Sequence, residues 1–265
     1  MFGWFKRRRR ARLREQPFPE AWDTILRKNV PYYRSLPDDD RRELQGHIHV
    51  LLAEKNFEGC GGLAMTDEIR LTIAGQAAIL LLHRETDYYP GLVSILVYPD
   101  AFIAPTEDEE LGDEVLEGED IHLGESWNIG ALVLSWKHVL HGGRDARDGE
   151  NVVLHEFAHQ LDYEDGVSNG APLLDSGHEE WGSVLSGEFE NLWRDIERNQ
   201  RTLIDTYGAT NPAEFFAVVT ECFFERPAAM RTKHPELYQV LSDFYQQDPE
   251  SVLQGDPSSV DNRSR

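Results

Sequence analysis

The chain has 265 residues, 40% hydrophobic and 28% charged, which supplies enough apolar material for a substantial buried core. Its net charge is −22 although seven Lys or Arg and no acid crowd into the first fourteen residues, so the body is strongly acidic, repels phosphate backbones and argues against direct nucleic-acid binding. No apolar run approaches the ~20 residues of a membrane span, and two cysteines, Cys60 and Cys222, make no disulfide framework and fit a reducing, cytoplasmic setting.

Residues 1–15 read as a basic flexible tail. No apolar stretch of roughly 7–15 residues follows the basic run, so it is not a secretory signal. Its two Phe and one Trp would permit weak contact with anionic lipid. The spacing of Leu44, Ile48, Leu51 and Leu52 predicts a helix over 35–55, with acids in its first turn. A second helix is expected over 66–85, capped by Thr66. "LVSILVYP" (92–99) reads as a strand ended by Pro99. Residues 107–120 form an acidic loop with room for a short strand, and "ALVLSW" (131–136) is a second strand. A helix carrying the motif of 151–166 follows, then mixed loop and helix over 173–199 and a further helix over 211–227. Residues 246–265 are polar, rich in Pro, Gly and Ser, and expected to be disordered. Helices outnumber strands without regular alternation, so the fold class is α+β, mainly helical with a small mixed sheet. We expect a single domain over 16–245, with a helical N-terminal part over about 16–90 and a catalytic part over about 91–245.

The chemistry concentrates in "NVVLHEFAHQLDYEDG" (151–166). His155 and His159 are one helical turn apart on one face and can aim at one metal ion. Glu156 lies about 100° further round, within reach of an activated water. Leu154, Phe157, Ala158 and Leu161 form the docking stripe. Asp162 is placed to accept a proton from a ligand's second nitrogen. The competing reading is a surface helix with titrating histidines.

Two histidines call for a third protein ligand, with one position left for water. The best source is "YGATNPAEFFAVVTECFF" (207–224). There Asn211 can cap a helix, Pro212 suits its first position, and Glu214 falls at the third. Glu214 could equally close a capping box without any metal. Glu221, seven residues on and on the same face, is the rival ligand or a supporting group. Tyr207 could donate to a developing oxyanion, or could be an ordinary core tyrosine. Other clusters are weaker: His138 and His141 read as surface or substrate-edge residues, "HEEW" (178–181) lacks a second His, and His47 and His49 point to different sides of a helix. No phosphate-binding loop or serine nucleophile elbow is present. A closed structural zinc site would want four ligands, often cysteines, and leave Glu156 without purpose.

"HEFAHQLDYEDG" together with "YGATNPAEFF" resembles the Mlc titration factor A family, bacterial zinc peptidases also called the glucose-regulated metallopeptidases. The resemblance covers most of the chain, and the second tract is also similar to the catalytic domain of anthrax lethal factor. It implies a zincin-like fold, with one Zn2+ held by His155, His159 and Glu214. Glu156 would then be the catalytic base and Tyr207 a catalytic hydroxyl. It further implies aminopeptidase-like hydrolysis of a peptide substrate. Binding of the transcriptional repressor Mlc, and through it control of the glucose phosphotransferase system, is the implied regulatory role. A protein of another class is the alternative: a non-catalytic regulator that titrates a repressor. In peptidases of this kind the strand before the metal helix is a sheet edge beside the active site, where an extended peptide can pair. The other reading of 131–136 is a central core strand.

Overall fold

The structure, a computed structural model, describes residues 2–100, 130–144, 148–174 and 176–254. It opens with four helices: α1 (Phe2–Arg14), α2 (Glu20–Asn29), α3 (Pro31–Ser35) and α4 (Asp38–Glu54). Three aspartates fill the first turn of α4, where negative charge complements the exposed N–H groups. Strand β1 (Asn56–Gly59) leads to α5 (Asp67–Ile79), and Thr66 Oγ1 caps α5 by accepting from Ile69 N at 3.3 Å. Every residue of α5 from Leu71 to Ile79 is buried. Gly75 lets α2 cross it closely, since a Cβ there would lie 2.6 Å from Leu26 Cδ2. Strands β2 (Ser94–Tyr98) and β3 (Ala131–Ser135) follow, then α6 (Trp136–Arg144) and α7 (Val152–Asp162). The chain closes with α8 (His178–Glu197), a 3-10 turn (Thr206–Ala209), α9 (Pro212–Glu225), α10 (Pro227–Lys233), α11 (Pro235–Tyr245) and α12 (Pro249–Gln254).

The sheet runs β1-β2-β3 with both pairs parallel, Phe57 facing Ile95 and Leu96 facing Val133. The expected mixed sheet is therefore, among the described residues, a parallel one. Parallel neighbours need a long crossover, and α5 lies in the connection from β1 to β2. Ile95, Val97, Leu132 and Leu134 point into the core, as period-2 alternation requires. Among the described residues β3 has a neighbour on one side only, and it packs against α7. One buried cluster links Leu26 of α2, α5, the sheet, α7 and the aromatic residues Phe216, Phe223, Phe224 and Tyr245.

The first fifteen residues are not the flexible tail expected of them. Residues 2–14 are α1, docked on α4 by one buried arginine. Arg10 Nη2 bonds Glu54 at 2.7 Å and Asp87 O at 2.8 Å, Nη1 meets Asp87 Oδ1 at 2.5 Å, and the guanidinium lies 4.5 Å above the Tyr88 ring. A charge desolvated this far needs full pairing, and two carboxylates provide it. At the other end, the stretch taken as disordered from 246 begins with α12, whose Pro249 is buried. Residues 255–265 and the acidic stretch 107–120 lie outside the described residues. His47 and His49 are buried packing residues: His47 lies between Tyr88 Oη (3.0 Å) and Glu43 (3.2 Å), and His49 packs on Phe18 and Trp22.

Candidate metal centre

Two helices build the site, and each begins with an asparagine cap. Asn151 Oδ1 accepts from Val153 N and Leu154 N, both at 3.1 Å, starting α7. Val153, Leu154, Phe157, Ala158 and Leu161 of α7 are buried, which turns His155 and His159 towards α9. Asn211 Oδ1 accepts from Glu214 N at 3.0 Å and starts α9, with Pro212 at its first position. Behind the asparagine, Gly170 holds a positive φ of 75° against α9. A Cβ there would lie 2.3 Å from Pro212 O.

The Glu214 carboxylate meets the two histidines. Its Oε2 lies 3.0 Å from His155 Nε2 and 3.3 Å from His159 Nε2, and the two nitrogens are 3.2 Å apart. Ligand atoms from these three residues all fall within 4.8 Å of one another, a group that could hold a metal ion. Glu221 approaches His155 from the other side, 2.7 Å from Nδ1, while its second oxygen accepts from Asn151 N. Both Glu221 oxygens act as acceptors, so the proton of a neutral His155 belongs on Nδ1 and Nε2 presents a lone pair. That lone pair faces an imidazole nitrogen and a carboxylate. Three converging electron-pair donors and flanking carboxylates fit a divalent cation bound by nitrogen and oxygen.

The side chains on their own favour a protonated His155, a proton that a bound cation would displace. Burial pushes the Glu214 carboxyl up, but the hydrogen bonds and charge of His155 and His159 outweigh it and hold it at about 2. Burial lowers His155, yet the Glu221 charge and bonds to Glu214 and Glu221 carry it well above the ordinary histidine range. Glu156 is buried, its Oε2 has no hydrogen-bond partner among the described residues, and burial raises its pKa against the pull of His155 and His159. The Tyr207 ring lies 6.1 Å from that of His155, centroid to centroid. Asp162, expected to steady a ligand, uses Oδ2 to hold the 168–170 turn, accepting from Ser168 Oγ (3.0 Å) and Gly170 N (2.9 Å). His138 and His141 are exposed on α6, and His178 begins α8.

Sequence reasoning missed a buried polar network behind the site. Asn151 Nδ2 donates to Gln76 Oε1 at 2.8 Å and to Glu225 Oε1 at 2.9 Å, and Glu225 Oε2 accepts from Gly149 N at 3.1 Å. Burial drives Glu225 up to about 9, so it is a neutral acid near pH 7. The i, i+4 spacing of Glu221 and Glu225 on a largely apolar helix is the signal that could have found it.

Comparison with known proteins gives a consistent picture. The sequence model of the glucose-regulated metallo-peptidase M90 family matches residues 4–246. An uncharacterised protein of Synechocystis is 42% identical over 244 residues, covering 91% of this chain and 89% of that protein. Two proteins named Mlc titration factor A are also similar. That of Serratia proteamaculans is 34% identical over 226 residues, covering 81% of this chain and 84% of its own. That of Yersinia pestis is 31% identical over 234 residues, covering 86% and 84%.

Proposed function

The chain belongs to the glucose-regulated metallopeptidase family M90, and from that premise we propose that it is a zinc-dependent peptidase of aminopeptidase type. The observation that carries this reading is the convergence of His155, His159 and Glu214 beside a buried glutamate. In the proposal these three residues hold one Zn2+. When bound, zinc supplies a Lewis acid that makes water nucleophilic near neutral pH. Glu156 takes the proton of the attacking water on its carboxylate and returns it to the leaving amine. Its burial keeps that carboxylate basic enough for the task. Tyr207 donates its hydroxyl to the substrate carbonyl oxygen as negative charge develops there. Glu221 holds the His155 ring by Nδ1, and Asn151 holds Glu221 by its peptide N–H. An extended substrate pairs with the side of β3 that has no neighbour among the described residues.

We also propose a repressor of the Mlc type as a partner, following the name carried by the relatives. The net charge of −22 suits a basic, DNA-binding protein. Capture of that repressor would tie the protein to control of the glucose phosphotransferase system. The setting is cytoplasmic, in keeping with two free cysteines. Among the described residues no helix is long and apolar enough to cross a membrane.

Glu156→Gln tests the chemistry. It keeps the size of the side chain and removes its basicity. Peptide hydrolysis is expected to vanish while zinc content, measured by elemental analysis, stays at one per chain. A zinc-loaded Glu156→Gln protein that still hydrolyses peptides would overturn the assignment. Repressor capture by the same variant separates binding from hydrolysis.

A further inference from the structure

Helix α1 has two faces of different purpose. One is glued to the body: Arg10 pairs with Glu54 and Asp87, Lys6 with Asp87 at 2.9 Å, and Leu13 packs on the core. At 100° per residue these side chains share one side of the helix, and Trp4, Arg8 and Arg12 fall on the opposite side with Phe5 and Arg7 at its borders. Trp4 and Phe5 are each 59% exposed, pack edge to face at 5.1 Å, and carry the Arg8 guanidinium 5.3 Å above the Trp4 ring. Arg7, Arg8 and Arg12 are exposed and form no ion pair among the described residues. The aromatic pair and the arginines without ion pairs therefore sit together on an outward helix face, in a chain that is otherwise strongly acidic.

We propose that this face docks the protein onto an anionic lipid surface, independently of its peptidase reading. Arginine heads match lipid phosphate, and Trp and Phe enter the headgroup boundary beside them. The acidic body repels the same surface, a repulsion that physiological salt screens beyond a Debye length of about 8 Å. A nucleic acid fits less well, because a net charge of −22 repels an extended phosphate backbone.

The test uses the full chain and sedimentation with vesicles of phosphatidylcholine containing about 30 mol% phosphatidylserine, against phosphatidylcholine alone. Binding is expected to the anionic vesicles only, and to weaken with added salt. Arg8→Gln with Arg12→Gln should weaken it roughly 25-fold, at about fivefold per arginine. Trp4→Ala with Phe5→Ala should weaken it about tenfold or more. All four side chains are on the surface, so circular dichroism and peptide hydrolysis in solution should not change. Absence of binding to anionic vesicles, or variants that bind like the parent, would overturn the proposal. So would a preference for a single-stranded oligonucleotide with the same arginine dependence. Loss of the peptidase reading would leave this result untouched.

Discussion

Asn151→Ala removes one side chain that both starts α7 and ties it to α5 and α9. The amide oxygen accepts from two N–H groups of the first turn of α7, so losing it forfeits a cap worth about 1 kcal/mol. The amide nitrogen satisfies Gln76 Oε1 and Glu225 Oε1, both on buried residues. Each acceptor left without its donor costs about 1–3 kcal/mol, less where the other deletion lets the network relax. The expected destabilisation is about 3–5 kcal/mol, a large part of the ~5–15 kcal/mol that holds a domain together. At about 2–4 °C per kcal/mol the melting temperature should fall by roughly 10 °C. Asn151→Ser separates the contributions, because serine caps well but cannot reach both acceptors. It should recover only about 1 kcal/mol. Urea denaturation of the three proteins measures the free energies, and a thermal scan the melting temperatures. Full recovery by serine would mean that the buried donors contribute nothing. A loss under about 1 kcal/mol in Asn151→Ala would refute the reasoning outright.

Glu214→Ala should abolish tight zinc binding, whereas Glu221→Ala should weaken it about 10–100-fold, as removing a group that only orients a ligand does. Competition against a chromophoric chelator measures both, and a reversed order would exchange the two roles. Glu225 has a folded pKa of about 9 against an ordinary 4.5. Its contribution is therefore fully present below about pH 4.5 and is lost as pH rises through 9. Glu225→Gln should flatten the fall in urea midpoint between those values, and an unchanged slope would show that another group causes it.

The sequence was most legible where local chemistry and tertiary packing agree. Thr66 and Asn211 cap the helices their positions predict, and the stripe of α7 docks as its spacing requires. Glu214 was ambiguous for a physical reason. A glutamate at the third helical position can turn back to the cap or forward to a neighbour, and only the packing of α7 on α9 decides. Arg10 was misread for a similar reason. Among so many arginines it looks solvated, and its partners are 44 and 77 residues away. Asn151 was not singled out in the sequence, and nothing local tells that its side chain joins Gln76 and Glu225 across the core. The direction of the strands was also hidden, because β-branched character marks a strand without giving its partner's sense.

The three glutamates of α9 explain each other. Glu214, Glu221 and Glu225 stand at i, i+7 and i+11, on one side of a helix that is buried from Phe215 to Glu225. Three like charges on such a stripe would be prohibitive without separate remedies. Glu225 is relieved by keeping its proton, at a pKa of about 9. Glu221 is held by a peptide N–H and an imidazole N–H. Glu214 faces the imidazole nitrogens of His155 and His159, and against its burial their hydrogen bonds hold its pKa at about 2. A bound cation would pair with that carboxylate directly, with the ring nitrogens as neutral ligands. The stripe thus runs from an ionised carboxylate to a neutral acid along one helix, and it is the ionised end that calls for a metal.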